Sequence, residues 1–305
     1  MIEVVFKLKT AKKSIKENIN FMDIKGEIEI KDNTFKVRLN GEFETCINVL
    51  RDIWELSFLY DGYFYKPILF KKDQKEQDVD KLIFLDYYNT SSMWVNSASP
   101  LCEQKDNYSE KLLEGYSNYR EQGRKHKKTN KILINSFFYL HSTAYENINK
   151  THLLTLFLNI ADGISINIWG KTNNVNSNIK SVLKNIDINS AKQGICLLGL
   201  SKSKFYDYIS SERNEIDHYV IQSDSLGQYV YSNSGDDRVK YIHLYYIYII
   251  ELAIRVLFLE QIGCNCSDEK KNHALNEILD WIILSLKLDE KCKNPINRFR
   301  QIQLK

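Results

Sequence analysis

The chain has 305 residues, 43% hydrophobic and 27% charged, with a formal net charge of +3. That length can carry two cores, and the balance is that of an ordinary globular protein. Near-neutral charge excludes a global field that draws the chain onto nucleic acid or a membrane, so any RNA contact has to come from a local patch.

Residues 1–104 read as β-rich. The opening MIEVVFKLKTAKKS is too polar for a signal peptide, and the expectation is a cytoplasmic chain. Residues 26–31 (GEIEIK) and 33–39 (NTFKVRL) both alternate polar and apolar, with Asp32 and Asn33 suited to the turn between them, which predicts a hairpin. Residues 48–59 carry apolar side chains at helical spacing. Asp61-Gly62 marks a turn, and residues 63–70 return to a strand pattern. Residues 71–81 are charged and read as a solvated hairpin tip. Residues 82–88 and 92–95 read as further strands.

The pattern turns helical after Cys102, with helices expected over 108–121, 131–148, 151–169, 173–186, 237–263 and 268–286. Another opens at Ser201, a loop is expected over 222–235, and Asp236 or Asp237 is placed to cap the long helix. The fold class is therefore α+β in two domains, a β-rich one over 1–104 and an α-helical one over 105–305. Between the first two helices lies GRKHKKT, a basic connection. Its Arg124, Lys125, Lys127 and Lys128 are weak candidates for RNA-backbone contact, against the plainer reading of a solvated linker.

The most hydrophobic stretch is 241–259, interrupted by Glu251 and Arg255. A charge pair inside a membrane is costly, so these two read as an i,i+4 pair in a buried helix, with no membrane partner. Six cysteines occur, and free thiols are the default without a secretory signal. Cys264, Cys266, His273 and Cys292 could supply four zinc ligands, but their spacing matches no standard zinc pattern, and no metal or other cofactor is expected. There is no Gly-rich phosphate loop and no G-x-S-x-G elbow.

The sharpest chemistry lies in SERNEIDHY, residues 211–219. Arg213 offers a planar, permanently charged fork for a phosphate. His218 offers a group that titrates near neutrality, as proton transfer at a phosphodiester requires. On a helix, Asn214 and His218 share a face, while Arg213 lies roughly 140° around the axis from His218. Convergence on one phosphate then needs a break in the helix or a second chain. A purely structural reading has Arg213 pairing with Asp217 and Asn214 hydrogen-bonding His218.

Arg213-Asn214-x-x-x-His218 resembles the signature of the HEPN superfamily, α-helical domains of which many are metal-independent endoribonucleases. The apolar helices expected on either side, 151–169 and 237–263, fit that setting. The branch it looks most like is the ApeA-like HEPN proteins, with a β-rich N-terminal domain, and here the resemblance rests on NVLRDIWELSFLYDGYFY, residues 48–65. The resemblance implies RNA cleavage leaving 2′,3′-cyclic phosphate ends, with Arg213, Asn214 and His218 as the catalytic residues. It also implies a supporting role for Asp162, which sits in an otherwise apolar helix and could hold the motif arginine. A solvent-facing Asp162 beside Gly163 is the alternative. It implies a homodimer or larger homo-oligomer, a toxin or phage-defence role by abortive infection, and a protein or phage-derived trigger sensed by the N-terminal domain. Against this stand a non-catalytic HEPN-like module that binds nucleotide, RNA or a protein, and a helical interaction protein with no nucleic-acid role.

Overall fold

The computed structural model describes residues 1–8, 12–21, 24–82, 101, 108–125, 150–170, 174–186, 206–207, 209–210, 237–264 and 266–288. They fall in two units, one comprising 1–146 and 258–266, the other 147–257 and 267–305.

The first unit is built on a six-stranded sheet of order β2-β3-β4-β1-β5-β6, with every neighbouring pair antiparallel. The strands are β1 (Ile2–Lys7), β2 (Ile15–Phe21), β3 (Ile24–Lys31), β4 (Thr34–Asn40), β5 (Lys66–Lys72) and β6 (Lys75–Gln77). The expected hairpin is β3–β4, and Asp32 and Asn33 take left-handed φ values of 49° and 60°. Two successive positive φ angles match the twist of the flanking strands, and short Asp and Asn side chains tolerate them. The expected tip over 71–81 is β5–β6 closed by Asp73 and Gln74, followed by a single 3-10 turn, Val79–Lys81.

Alternation sets the two faces of the sheet. Ile2, Val4 and Phe6 of β1 lie opposite Leu39, Val37 and Phe35 of β4, and all six are buried. Ile28 and Ile30 of β3 continue those rows. Gly26 stands in the third row because the space is taken. A Cβ there would lie 2.7 Å from the Arg38 carbonyl oxygen and 2.8 Å from Leu39 Cδ2.

Strands β4 and β5 flank β1 and both run antiparallel to it, so they are parallel to each other. A parallel connection needs a crossover. Helix α1 (Phe43–Asp61) supplies it, ending where Gly62, at φ 74°, donates its N–H to the Phe58 carbonyl. The strand expected from residue 63 begins instead at Lys66. Tyr63, Phe64 and Tyr65 are buried ahead of it, and the Tyr65 carbonyl accepts from Trp54 Nε1 at 2.9 Å. The aromatic run in NVLRDIWELSFLYDGYFY thus folds back under its own helix. Phe64 stacks on Phe58 and Trp54, and Tyr65 meets Phe35 edge-on. Helix α2 (Tyr108–Lys125), which the sequence assigns to the helical domain, groups with the sheet unit and packs on α1.

In the second unit, α3 (Lys150–Trp169) and α4 (Val175–Leu183) form a helical hairpin. Gly170, at φ 62°, closes α3 by donating to the Ile166 carbonyl. The Asn174 side chain opens α4 by accepting from the Ser177 N–H at 2.9 Å. Helix α5 (Asp237–Gln261) belongs to this unit through Leu257, and α6 (Asp268–Leu288) follows. The expected strands at 82–88 and 92–95, the helix at 131–148 and the loop at 222–235 lie outside the described residues, except for Leu82.

Candidate functional site

Arg213, Asn214 and His218 lie outside the described residues, as do Lys127 and Lys128. Arg124 and Lys125 are the last two residues of α2, so the basic run begins within a helix rather than wholly in a connection.

Asp162 is placed. It sits on α3, half-buried, and its Oδ1 accepts from Asn178 Nδ2 of α4 at 2.7 Å. Asn178 is 1% exposed and lies in the apolar stripe of α4 beside Ile179, Val182 and Leu183, all buried. The carboxylate therefore faces a neighbouring helix rather than open solvent. Sequence reading singled out Asp162 but missed Asn178. The available signal was a carboxamide inside an apolar helical stripe.

Glu251 and Arg255 form the expected i,i+4 pair on α5. Both side chains are fully buried, with Arg255 Nη1 3.7 Å from Glu251 Oε1. A buried pair of this kind is weak evidence for net stability, but losing either partner removes a counter-charge from the other. Lys180 of α4 pairs with Asp207, and the Tyr206 hydroxyl donates to the Ile186 carbonyl, so the short helical piece around 206–210 is held against the end of α4.

The sheet unit has polar clusters of its own, inside the fold as well as on the sheet. Lys12 Nζ lies 2.6 Å from Asp61 Oδ1, with the two side chains 1% and 0% exposed, and the Tyr65 hydroxyl donates to the other Asp61 oxygen. Asp61 is the last residue of α1, where the carbonyl end of the helix also favours a cation. On the α1–α2 seam, the Tyr119 hydroxyl donates to Glu55 at 2.5 Å. Arg120 donates to the Tyr116 hydroxyl at 3.1 Å and lies 3.4 Å from Asp52. Burial works against the Arg120 charge, yet the Tyr116 hydroxyl and Asp52 outweigh it and hold the guanidinium above its ordinary range. No sequence pattern announced Lys12–Asp61, Tyr119–Glu55 or Arg120–Asp52, because those partners are far apart in the chain.

On the outer face of the sheet, a row of alternating sign runs Lys71, Glu3, Arg38 and Glu27, and Lys16 reaches Glu27 diagonally from the next row. Lys71 lies 3.4 Å from Glu3, Arg38 bonds both Glu3 (2.5 Å) and Glu27, and Lys16 lies 3.3 Å from Glu27. Lys36 and Glu29 pair at 2.8 Å in the next row. Desolvation pushes the Glu3 carboxyl up, but Arg38 and Lys71 together hold it below its usual range. Lys36 does the same for Glu29. In these rows the lysines and arginine are matched by carboxylates, which makes them a poor phosphate-binding surface.

Cys264 packs against Tyr60 and Gly115, and burial pushes its thiol up despite the opposing hydrogen bond from Tyr60. Cys46 is buried and pushed up for the same reason. His273 faces Glu277 at 3.5 Å. Among the described residues, no three His, Cys, Asp or Glu side chains are grouped to hold a metal ion, and no helix is long and apolar enough to cross a membrane. Compared with protein-family models, with curated proteins and with solved structures, the chain matches none.

Proposed function

We propose that this chain is a metal-independent endoribonuclease of the HEPN type, acting in the cytoplasm as a homodimer or larger homo-oligomer in a toxin or phage-defence role. The observation that carries the reading is Arg213-Asn214-x-x-x-His218, set between two segments that are helical in the structure, α3 and α5. The chemistry needs no metal, because the ribose 2′-hydroxyl is an internal nucleophile. The 2′-oxygen bonds to phosphorus as the bond to the 5′-oxygen breaks, leaving a 2′,3′-cyclic phosphate. His218 takes the 2′-hydroxyl proton or gives one to the leaving 5′-oxygen. Arg213 offsets the charge that grows on the phosphate oxygens. Asn214 orients the imidazole or the phosphate, and Asp162 holds the arginine. Motif residues from two chains facing one cleft would remove the angular mismatch between Arg213 and His218 on a single helix. The β-rich N-terminal domain senses a protein or phage-derived trigger.

The test is cleavage of a mixed single-stranded RNA pool in EDTA, with product ends assayed for cyclic phosphate. His218→Ala is expected to lower the rate by ~10²–10⁴-fold while RNA binding persists. Arg213→Ala is expected to weaken both binding and turnover. Cleavage that EDTA abolishes, or that His218→Ala leaves intact, removes His218 from the mechanism. The alternative, a non-catalytic module that binds nucleotide, RNA or a protein partner, then takes its place. The net charge of only +3 is the observation on that side.

A further inference from the structure

The outer face of the sheet ends in a row unlike the two described above. Lys31 of β3 lies directly opposite Thr34 of β4, Thr34 opposite Lys7 of β1, and Lys7 opposite Lys66 of β5. All three lysines are exposed, and the row itself contains no carboxylate. Residues opposite one another in an antiparallel pair share a face, and like charges so placed destabilise the sheet. At about 4.8 Å per strand, the row runs roughly 14 Å from Lys31 to Lys66. Asp32, in the hairpin turn, lies 3.9 Å from Lys31 and is an acidic neighbour at that end. In the next row Lys36 pairs with Glu29, and Val5 lies opposite Leu69. The register of β1 on β5 shifts here. Val5 faces Leu69 and Phe6 faces Pro67, so Ile68 falls between them, 48% exposed.

We propose that the Lys31–Thr34–Lys7–Lys66 row is a docking surface for an acidic protein segment, with Ile68 beside it as an apolar contact. Charge complementarity gives the sign of the partner, since ammonium groups set in one row draw carboxylates and repel cationic competitors. The compact charge of a lysine also accepts a carboxylate from many directions. The aliphatic side chains of Val5, Leu69 and Ile68 give the class. Single strands of nucleic acid are held by aromatic side chains on which bases stack, and these three are not aromatic. An acidic polypeptide can set carboxylates over the lysines and an aliphatic side chain against Ile68. Bound there, it offsets the repulsion that Lys7 and Lys66 impose on the free sheet. The proposal is read from strand register and stands independently of the nuclease reading.

The experiment uses the full chain in three forms: wild type, Lys7→Gln with Lys66→Gln, and Lys25→Gln with Lys81→Gln. The last removes the same charge from exposed positions elsewhere in the sheet unit. Two labelled probes are titrated by fluorescence anisotropy at low salt: poly-L-glutamate, and poly-deoxyuridylate, which lacks the 2′-hydroxyl and so stays intact if the chain is a nuclease. The melting temperature of each form is measured alongside. The wild type and the Lys25/Lys81 variant are expected to bind poly-L-glutamate alike, and the Lys7/Lys66 variant roughly 3–30-fold more weakly. The melting temperature of the Lys7/Lys66 variant should equal or exceed that of the wild type, because two opposed cations are gone. A wild type that does not bind poly-L-glutamate overturns the proposal, and so does an equal loss in both variants, which reports net charge alone. A lower melting temperature in the Lys7/Lys66 variant also overturns it, by showing that the lysines serve the sheet itself. Poly-deoxyuridylate bound more tightly than poly-L-glutamate, and released by the Lys7/Lys66 change, overturns it in favour of nucleic acid.

Discussion

Asp61 and Asp162 are both acidic residues on long helices, and they are treated in opposite ways. In the sheet unit, Asp61 has Lys12 on one oxygen at 2.6 Å and the Tyr65 hydroxyl on the other, and nothing of the carboxylate reaches solvent. In the helical unit, Asp162 is half-buried and, among the described residues, accepts from the neutral carboxamide of Asn178. The same contrast runs through the surfaces. The outer face of the sheet matches Glu3, Glu27 and Glu29 to Arg38, Lys36, Lys71 and Lys16. The two contacts differ in kind: Asp61 meets an ammonium, and Asp162 meets a neutral carboxamide.

The comparison breaks most sharply at Asp61. Asp61→Ala leaves the Lys12 ammonium buried without its counter-charge, and the expected loss is about 3–5 kcal/mol. Asp61→Leu combined with Lys12→Met removes both charges and should recover most of that loss. Urea unfolding followed by tryptophan fluorescence reads both, since Trp54 lies in the same core. A loss of less than about 1 kcal/mol in Asp61→Ala would mean the pair is no lock at all.

Glu251 and Arg255 are the second test, because they are fully buried yet further apart, at 3.7 Å. Charge-assisted hydrogen bonds usually close to about 2.7–2.9 Å. Arg255→Met is expected to cost about 3 kcal/mol, the lower end of the range for breaking a buried pair. Glu251→Gln with Arg255→Met should restore much of it in thermal unfolding. If the double variant is worse than the single one, the pair holds helix α5 by more than mutual compensation.

What could be read from the sequence follows from how local each signal is. The β3–β4 hairpin was legible because Asp32-Asn33 and two-residue alternation lie within one short window. Helices α1, α2, α3, α4, α5 and α6 were legible to within a few residues for the same reason. The Glu251–Arg255 pair was legible because i,i+4 spacing is itself local. The order of the strands was not, since β1 pairs with β4 and β5 across long stretches of chain. The strand start at residue 63 was misread because an aromatic run fits a strand and a buried return equally well. Lys12–Asp61 and Asp162–Asn178 depend on tertiary contacts that no periodicity encodes. Of the site itself, Asp162 was named in advance as a lone polar residue in an apolar helix, and its partner was not.

The smallest effect belongs to the outer face, and its pH dependence shows what kind of compensation operates there. Arg38 bonds Glu3 and Glu27 across two strand pairs, and cross-strand ion pairs contribute roughly 0.2–1 kcal/mol each. Arg38→Met should therefore cost about 1 kcal/mol at neutral pH. Glu3 and Glu29 are both held below the ordinary glutamate value of 4.5 in the folded chain. A depressed carboxyl contributes stability that is fully present above its unfolded value and is lost as pH falls through the folded one. The gap between wild type and Arg38→Met should thus be constant above pH 4.5 and shrink as pH falls below it through the depressed folded value of Glu3. Salt at about 1 M should narrow the same gap at neutral pH, because these side chains are partly exposed and screened. Urea midpoints across that range measure it. A gap that survives at low pH would assign the contribution of Arg38 to its methylene packing over the sheet, and the outer face would then differ from the buried Asp61 pair in chemistry as well as in degree.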